Sequence, residues 1–283
     1  MRFVSLLFAA AMTLNPLVAV AQTANQGGPL IDYGTRVIPE IAAKGMVSGP
    51  EKLASEAGLS MLIRGGNAVD AAVATGFALA VTLPRAGNLA GGGFMLVHLA
   101  KTDEQVFIDY REMAPASASR DMFLNEDGTV NKQMAYNSPS AAGIPGTVAG
   151  MIHALENYGT LDLKTVIQPA IELAEQGFRV PAALHLNLRA ATKRLARNEE
   201  ANRIYFAGTG TAPAMGSLFK QPDLAATLKR IRDTGTDGFY KGNTAALIVE
   251  EMQRNGGLIT RSDLAKYRAL ARQPGRSIFR GNK

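Results

Sequence analysis

Arg111 ends an apolar run and stands just before an Ala-Pro break, in the stretch IDYREMAPA at residues 108–116. A guanidinium is a planar, permanently charged fork of donors that matches a carboxylate two bonds at a time. At the end of a strand its stem would be held by the scaffold while its tip faced a cleft. The same side chain could instead close a surface ion pair with Glu112 or Asp109, and side-chain chemistry alone leaves these two readings level. Three other places carry reactive potential. Gly91, Gly92 and Gly93 could cradle an anion on backbone N–H groups. They open onto a strand pattern, however, whereas phosphate loops lead into a helix, so close passage of backbone segments is the preferred reading. Thr147 follows Gly146 and, freed by a cut between them, could act as a nucleophile with its own amine as base. A first-turn or capping role inside a Pro-Gly turn is preferred. His153 lies on a mostly apolar helical pattern and reads as a structural histidine, not a general base.

Composition removes other chemistries. The 283 residues contain no cysteine, which excludes disulfides, a cysteine nucleophile and thiolate metal sites in this chain. His98, His153 and His185 are far apart without metal-ligand spacing, and no phosphate fingerprint of the required glycine spacing is present. No metal and no cofactor are expected. The formal charge is +6, with the densest basic run at Arg261, Lys266, Arg268, Arg272, Arg276, Arg280 and Lys283. Only Tyr267 and Phe279 accompany it, so a solvated face is expected and a nucleic-acid partner is not.

The elements that must position these residues follow from hydrophobic periodicity. Residues 1–21 show the three parts of a secretory signal peptide. Arg2 precedes an apolar stretch, Pro16 interrupts it, and Ala19 and Ala21 form a small-x-small cleavage site before Gln22. Export to the periplasm or the medium is expected. Residues 22–283 read as one further region. A helix is expected from Gly49-Pro50, with Pro50 in its first turn, Leu53, Ala57 and Met61 on one face, and Gly65-Gly66 as its stop. Asn67 and Asp70 have the spacing of a capping pair for a second helix. Its Val69, Ala72, Val73, Gly76, Phe77 and Ala80 form one apolar stripe, and Pro84 ends it. Two short apolar runs, Phe94–Ala100 and Val106–Tyr110, joined by KTDEQ, predict a β-hairpin. Their continuous apolar character predicts strands covered on both faces. Beyond residue 118 the pattern is mostly helical, with GIPGTVAGMIHALENYG, a segment around Pro169, QPDLAATLKRIRDTG and NTAALIVEEMQRNGG. In ITRSDLAKY, Thr260 and Asp263 are spaced as an N-cap pair.

Taken together, GMVSGPEKLASEAGLSMLIRGGNAVDAAVATGFALAVTLPRAGNLAGGGFMLVH, IDYREMAPA, GIPGTVAGMIHALENYGTLDLKTVIQPAIELAEQGF, DGFYKG and NGGLITRSDLAKY closely resemble the N-terminal part of the γ-glutamyltransferase (γ-glutamyltranspeptidase) large subunit. The likeness runs in register from about residue 32 to about residue 280. It implies an α+β fold, the αββα four-layer sandwich of N-terminal-nucleophile hydrolases, present only in part. It implies a precursor that cleaves itself before a threonine. The freed threonine takes the γ-glutamyl group of glutathione or a related compound as an ester, then passes it to water or to an amino-acid or peptide acceptor. In that family the arginine of the REMAPA-type motif grips the α-carboxylate of the glutamyl group, which here is Arg111. The family's nucleophile and oxyanion-hole glycines belong to its small subunit, and no stretch of this sequence matches them. No catalytic residue is therefore assigned in this chain, which is expected to be inactive alone and to need the small subunit of the same precursor. The alternative is a non-catalytic truncated remnant or a weak γ-glutamyl-binding module.

Overall fold

Two capped helices open the fold. The computed structural model describes residues 41–278 and residue 280, and every contact reported below lies within the unit Lys44–Lys283. The expected signal peptide lies outside the described residues. Helix α1 (Lys52–Ile63) starts where a Glu51 carboxylate oxygen accepts the Ala54 N–H at 2.9 Å. Pro50 therefore precedes the cap and does not fill the first turn as expected, because the Glu51 side chain satisfies the orphan donor there. Gly65, with φ +88°, closes the helix as its position predicts.

Helix α2 (Ala68–Thr82) carries a complete capping box. Asn67 Oδ1 accepts the Val69 and Asp70 N–H groups, and Asp70 Oδ2 accepts the Asn67 N–H at 2.6 Å. The single apolar stripe expected here is a correction: α2 is buried around most of its circumference. Val73, Ala74, Phe77, Ala78 and Val81 are wholly inaccessible, while Ala72, assigned to the stripe, is exposed. A helix apolar on all sides is one that other elements surround.

The remaining elements supply that surround. In order they are β1 (Phe94–Leu99), β2 (Glu104–Asp109), α3 (Lys132–Asn137), α4 (Thr147–Tyr158), α5 (Leu163–Gln176), β3 (Phe178–Arg179), α6 (Ala182–Leu195) and α7 (Glu199–Phe206). Then come β4 (Leu218–Phe219), α8 (Pro222–Thr234), α9 (Asp237–Tyr240), α10 (Gly242–Asn255), α11 (Arg261–Lys266) and β5 (Leu270–Arg272). Helix α2 packs against α1, α4 and α5, and α8 packs on the far side of α5. Asp70 locks this layer. Its buried carboxylate accepts from Asn67 N, Thr160 N, Thr160 Oγ1 and Leu161 N, which ties the start of α2 to the α4–α5 turn.

Strands β1, β2 and β5 form an antiparallel sheet with β2 in the centre, and β3 pairs with β4 in a separate ribbon. The register pairs Leu96 with Phe107 and Asp109 with both Phe94 and Leu270. Val97, Val106 and Ile108 face the helices and are buried. The opposite face is open, which corrects the expectation of strands covered on both sides. Phe94 is 55% exposed and Leu96 65%, and among the described residues no element covers them. Side chains alternate across a strand, so an apolar run means only that both faces are apolar, not that both are covered in these residues.

Candidate functional site

Arg111 is the first residue but one beyond β2, at the rim of the open sheet face. Its side chain is 59% exposed. Both local environments read from the sequence are present in part. Glu112 Oε2 lies 3.4 Å from Arg111 Nε, close enough for charge attraction but outside hydrogen-bond alignment, and that buried oxygen has no hydrogen bond among the described residues. Asp109 is engaged otherwise. Its Oδ1 accepts the Arg111 backbone N–H at 3.1 Å and its Oδ2 accepts Arg272 Nε at 2.9 Å. The Arg111 N–H holds the Asp109 carboxyl below its ordinary range, and the Arg272 guanidinium adds to this against the opposing effect of burial. The Arg111 guanidinium carbon stands 5.8 Å from the Phe94 ring centroid, a cation–π contact, and Phe94 itself stacks on Phe107. The guanidinium makes no hydrogen bond among the described residues. Its Nε edge faces Glu112, so the two terminal nitrogens are the edge left for an incoming carboxylate.

The loop that bears Arg111 is fastened from far along the chain. Tyr267 donates its hydroxyl to the Arg111 carbonyl at 2.8 Å, across 156 positions of sequence. One helical turn earlier, Asp263 Oδ1 accepts the Ala116 N–H at 3.1 Å while its Oδ2 completes the capping box with Thr260. Thus ITRSDLAKY grips both ends of REMAPA. Tyr267 is buried and lies parallel on Tyr240, with ring centroids 5.7 Å apart. Tyr240 in turn donates to the Pro145 carbonyl at 2.8 Å. Helix α4 leaves room for this assembly through two glycines. A methyl at Gly146 would overlap the Tyr110 carbonyl oxygen and the Tyr267 hydroxyl, and one at Gly150 would overlap the Tyr110 ring. Sequence reasoning noted Thr260 and Asp263 only as a cap and missed Tyr267, Tyr240 and the Asp109–Arg272 pair as supports. The only visible signal was the adjacency of Asp263 and Tyr267 at helical spacing.

The other candidates fall to structural roles. The Gly91 carbonyl accepts the N–H groups of Gly146 and Thr147 at 2.6 and 3.0 Å, and a methyl at Gly92 would strike the Tyr110 carbonyl. The triplet is a crossing point of three backbone segments, as preferred. Thr147 is buried in the first turn of α4, with its amide nitrogen already engaged. His153 Nδ1 lies 3.4 Å from the Asn157 side-chain nitrogen, its Nε2 is buried without a partner among the described residues, and no hydrogen bond links it to Thr147. His185 is bonded to the Pro213 carbonyl at 2.8 Å, and His98 lies 4.0 Å from Asp103. Within the basic run, Arg268 donates to the Ala265 and Tyr267 carbonyls and Arg272 holds Asp109.

Comparison with known proteins gives a consistent picture. The family model for gamma-glutamyltranspeptidase matches residues 54–283. The chain is 46% identical over 256 residues to a glutathione hydrolase proenzyme of Escherichia coli (strain K12), covering 89% of this chain and 44% of that protein. The crystal structure of Helicobacter pylori gamma-glutamyltranspeptidase aligns with a TM-score of 0.83 at 43% identity, covering 86% of this chain and 70% of that one. A gamma-glutamyltranspeptidase from Pseudomonas nitroreducens complexed with L-DON aligns with a TM-score of 0.78 at 41% identity over the same shares. The chain thus spans less than half the length of the curated relatives it matches. The solved structures show the fold class: this is the N-terminal-nucleophile hydrolase fold in part, here a three-stranded sheet with helices on one face beside the β3–β4 ribbon.

Proposed function

We infer the function from a premise the comparisons supply: the chain belongs to the gamma-glutamyltranspeptidase family. It acts as the N-terminal portion of an enzyme that transfers or hydrolyses the γ-glutamyl group of glutathione and related compounds. Arg111 binds the α-carboxylate of the donor through its terminal nitrogens. The γ-carbonyl then lies within reach of a threonine from the small subunit of the same precursor. That hydroxyl adds to the carbonyl carbon, the amine leaves with a proton, and a γ-glutamyl ester remains. Water or the amine of an amino acid or peptide attacks the ester and restores the threonine. The observation that carries this reading is the state of Arg111. Its backbone is held on both sides, its Nε edge faces Glu112, and its outer edge is free of hydrogen bonds among the described residues.

Arg111→Lys in the mature enzyme keeps the charge and loses the fork. A hydrogen bond to a charged group contributes about 1.5–3 kcal/mol. The expected result is a rise in KM for γ-glutamyl-p-nitroanilide, with kcat/KM lower by about ten- to a hundred-fold. Unchanged kinetics would return Arg111 to the ion pair with Glu112. Export is part of the same proposal and rests on Arg2, the apolar run and Ala19-Val20-Ala21. Mass spectrometry of the periplasmic or secreted protein should find Gln22 as the first residue, and an intact Met1 there would overturn it.

A further inference from the structure

The structure assigns Tyr267 and Arg272 as positioning residues for Arg111, an inference that rests on the carboxylate-binding reading above. Neither side chain faces the proposed ligand edge of the guanidinium. Each instead fixes the peptide unit from which the guanidinium grows. Tyr267 donates to the Arg111 carbonyl at 2.8 Å, and Arg272 holds the Asp109 carboxylate that accepts the Arg111 N–H. Arg111 is the second residue beyond β2, and its exposed side chain meets only the edge of Glu112 and the Phe94 ring among the described residues. Its two backbone groups, each held by a hydrogen bond, are the firmest places where direction can be imposed. Tyr267 suits the task. It is buried, it is braced by the parallel ring of Tyr240, and it fills the space that Gly146 leaves by lacking a side chain. Burial, joined by the nearby Asp109 and Glu112 charges, pushes its hydroxyl up to about 12, so it remains a donor across the working pH range. A carboxylate clamp loses strength quickly when its geometry drifts, since two parallel bonds must form together.

Two variants test this in the mature enzyme made from the complete gene. Tyr267→Phe removes one oxygen and keeps the ring stack. Arg272→Gln alters an exposed side chain. Tyr267→Phe is expected to raise KM for γ-glutamyl-p-nitroanilide about five-fold and Arg272→Gln about two- to three-fold, each with kcat within about two-fold of the parent. A residue that acts only through Arg111 has nothing to position once the fork is gone. Each change added to Arg111→Lys should therefore leave KM at the value of Arg111→Lys alone. If Arg111→Lys by itself changes nothing, the carboxylate reading falls and takes this one with it. If Arg111→Lys weakens donor binding but the second change multiplies its effect, the positioning role alone is overturned. A fall in kcat at unchanged KM would also overturn it. So would a Tyr267→Phe protein that fails to fold, beside an Arg272→Gln protein with parental kinetics.

Discussion

Asp70→Ala is expected to destabilise the fold by about 3–5 kcal/mol, from buried donors left without acceptors at about 1–3 kcal/mol each. The Asp70 carboxylate has no solvent exposure and accepts from three backbone N–H groups and one hydroxyl. Removing it opens the cap of α2 and releases the α4–α5 turn at once. For a domain of this size each kcal/mol lowers Tm by about 2–4 °C, so a loss of about 10 °C is expected. Asp70→Asn should cost less, because the amide keeps the volume and one acceptor while turning its NH2 toward a donor. The pH dependence separates charge from shape. Burial by itself would raise the Asp70 pKa from 3.8, but the hydrogen bonds from the Thr160 hydroxyl and the Asn67, Leu161 and Thr160 amides outweigh it and lower it. A group with a depressed folded-state pKa adds stability that is full above the unfolded value and is lost as pH falls through the folded one. The stability gap between parent and Asp70→Asn should therefore hold steady near neutrality and narrow below about pH 4. A gap that stayed constant down to pH 2 in thermal melts would show that the charge contributes nothing.

The capping pair Asn67–Asp70, the hairpin and the glycine stops were legible in the sequence because each is local: its cause and its effect lie within a few residues. Two expectations failed for one reason. The stripe on α2 and the double cover on the sheet were inferred from apolar residues, and an apolar side chain does not say what lies over it. Helix α2 turned out to be surrounded where one buried face was expected, and β1 bare on a face where cover was expected. At the site, Arg111 was legible as a fork at a strand end, and the family resemblance proposed its use. What holds Arg111 was not legible. Tyr267 is 156 residues away, and its hydroxyl reaches the Arg111 carbonyl only because Gly146 and Gly150 let α4 sit against Tyr110. No period in the sequence records a contact made through the absence of two side chains.

A polypeptide of these 283 residues, produced alone, is expected to remain one uncut chain past residue 22 and to release no p-nitroaniline from γ-glutamyl-p-nitroanilide above background. Acyl transfer needs a nucleophile, a base and donors for the developing oxyanion, and loss of one oxyanion donor already costs about a hundred- to a thousand-fold. Thr147 is the nucleophile candidate that the sequence singled out, and its surroundings oppose the role. An N-terminal nucleophile needs a free amine as its base. The Thr147 nitrogen instead donates to the Gly91 carbonyl, as does the nitrogen of Gly146 beside it. A cut between them would part the crossing of the glycine triplet with α4 and expose a threonine that is now 5% accessible. It would also leave Tyr110 and Tyr267 facing a loose end where they now pack against Gly146. Thr147→Ala should accordingly leave the absence of turnover unchanged and cost only the stability of one buried hydroxyl. Measurable release by the parent chain that disappears in Thr147→Ala would make Thr147 the nucleophile. The small subunit would then not be needed to complete the site around Arg111.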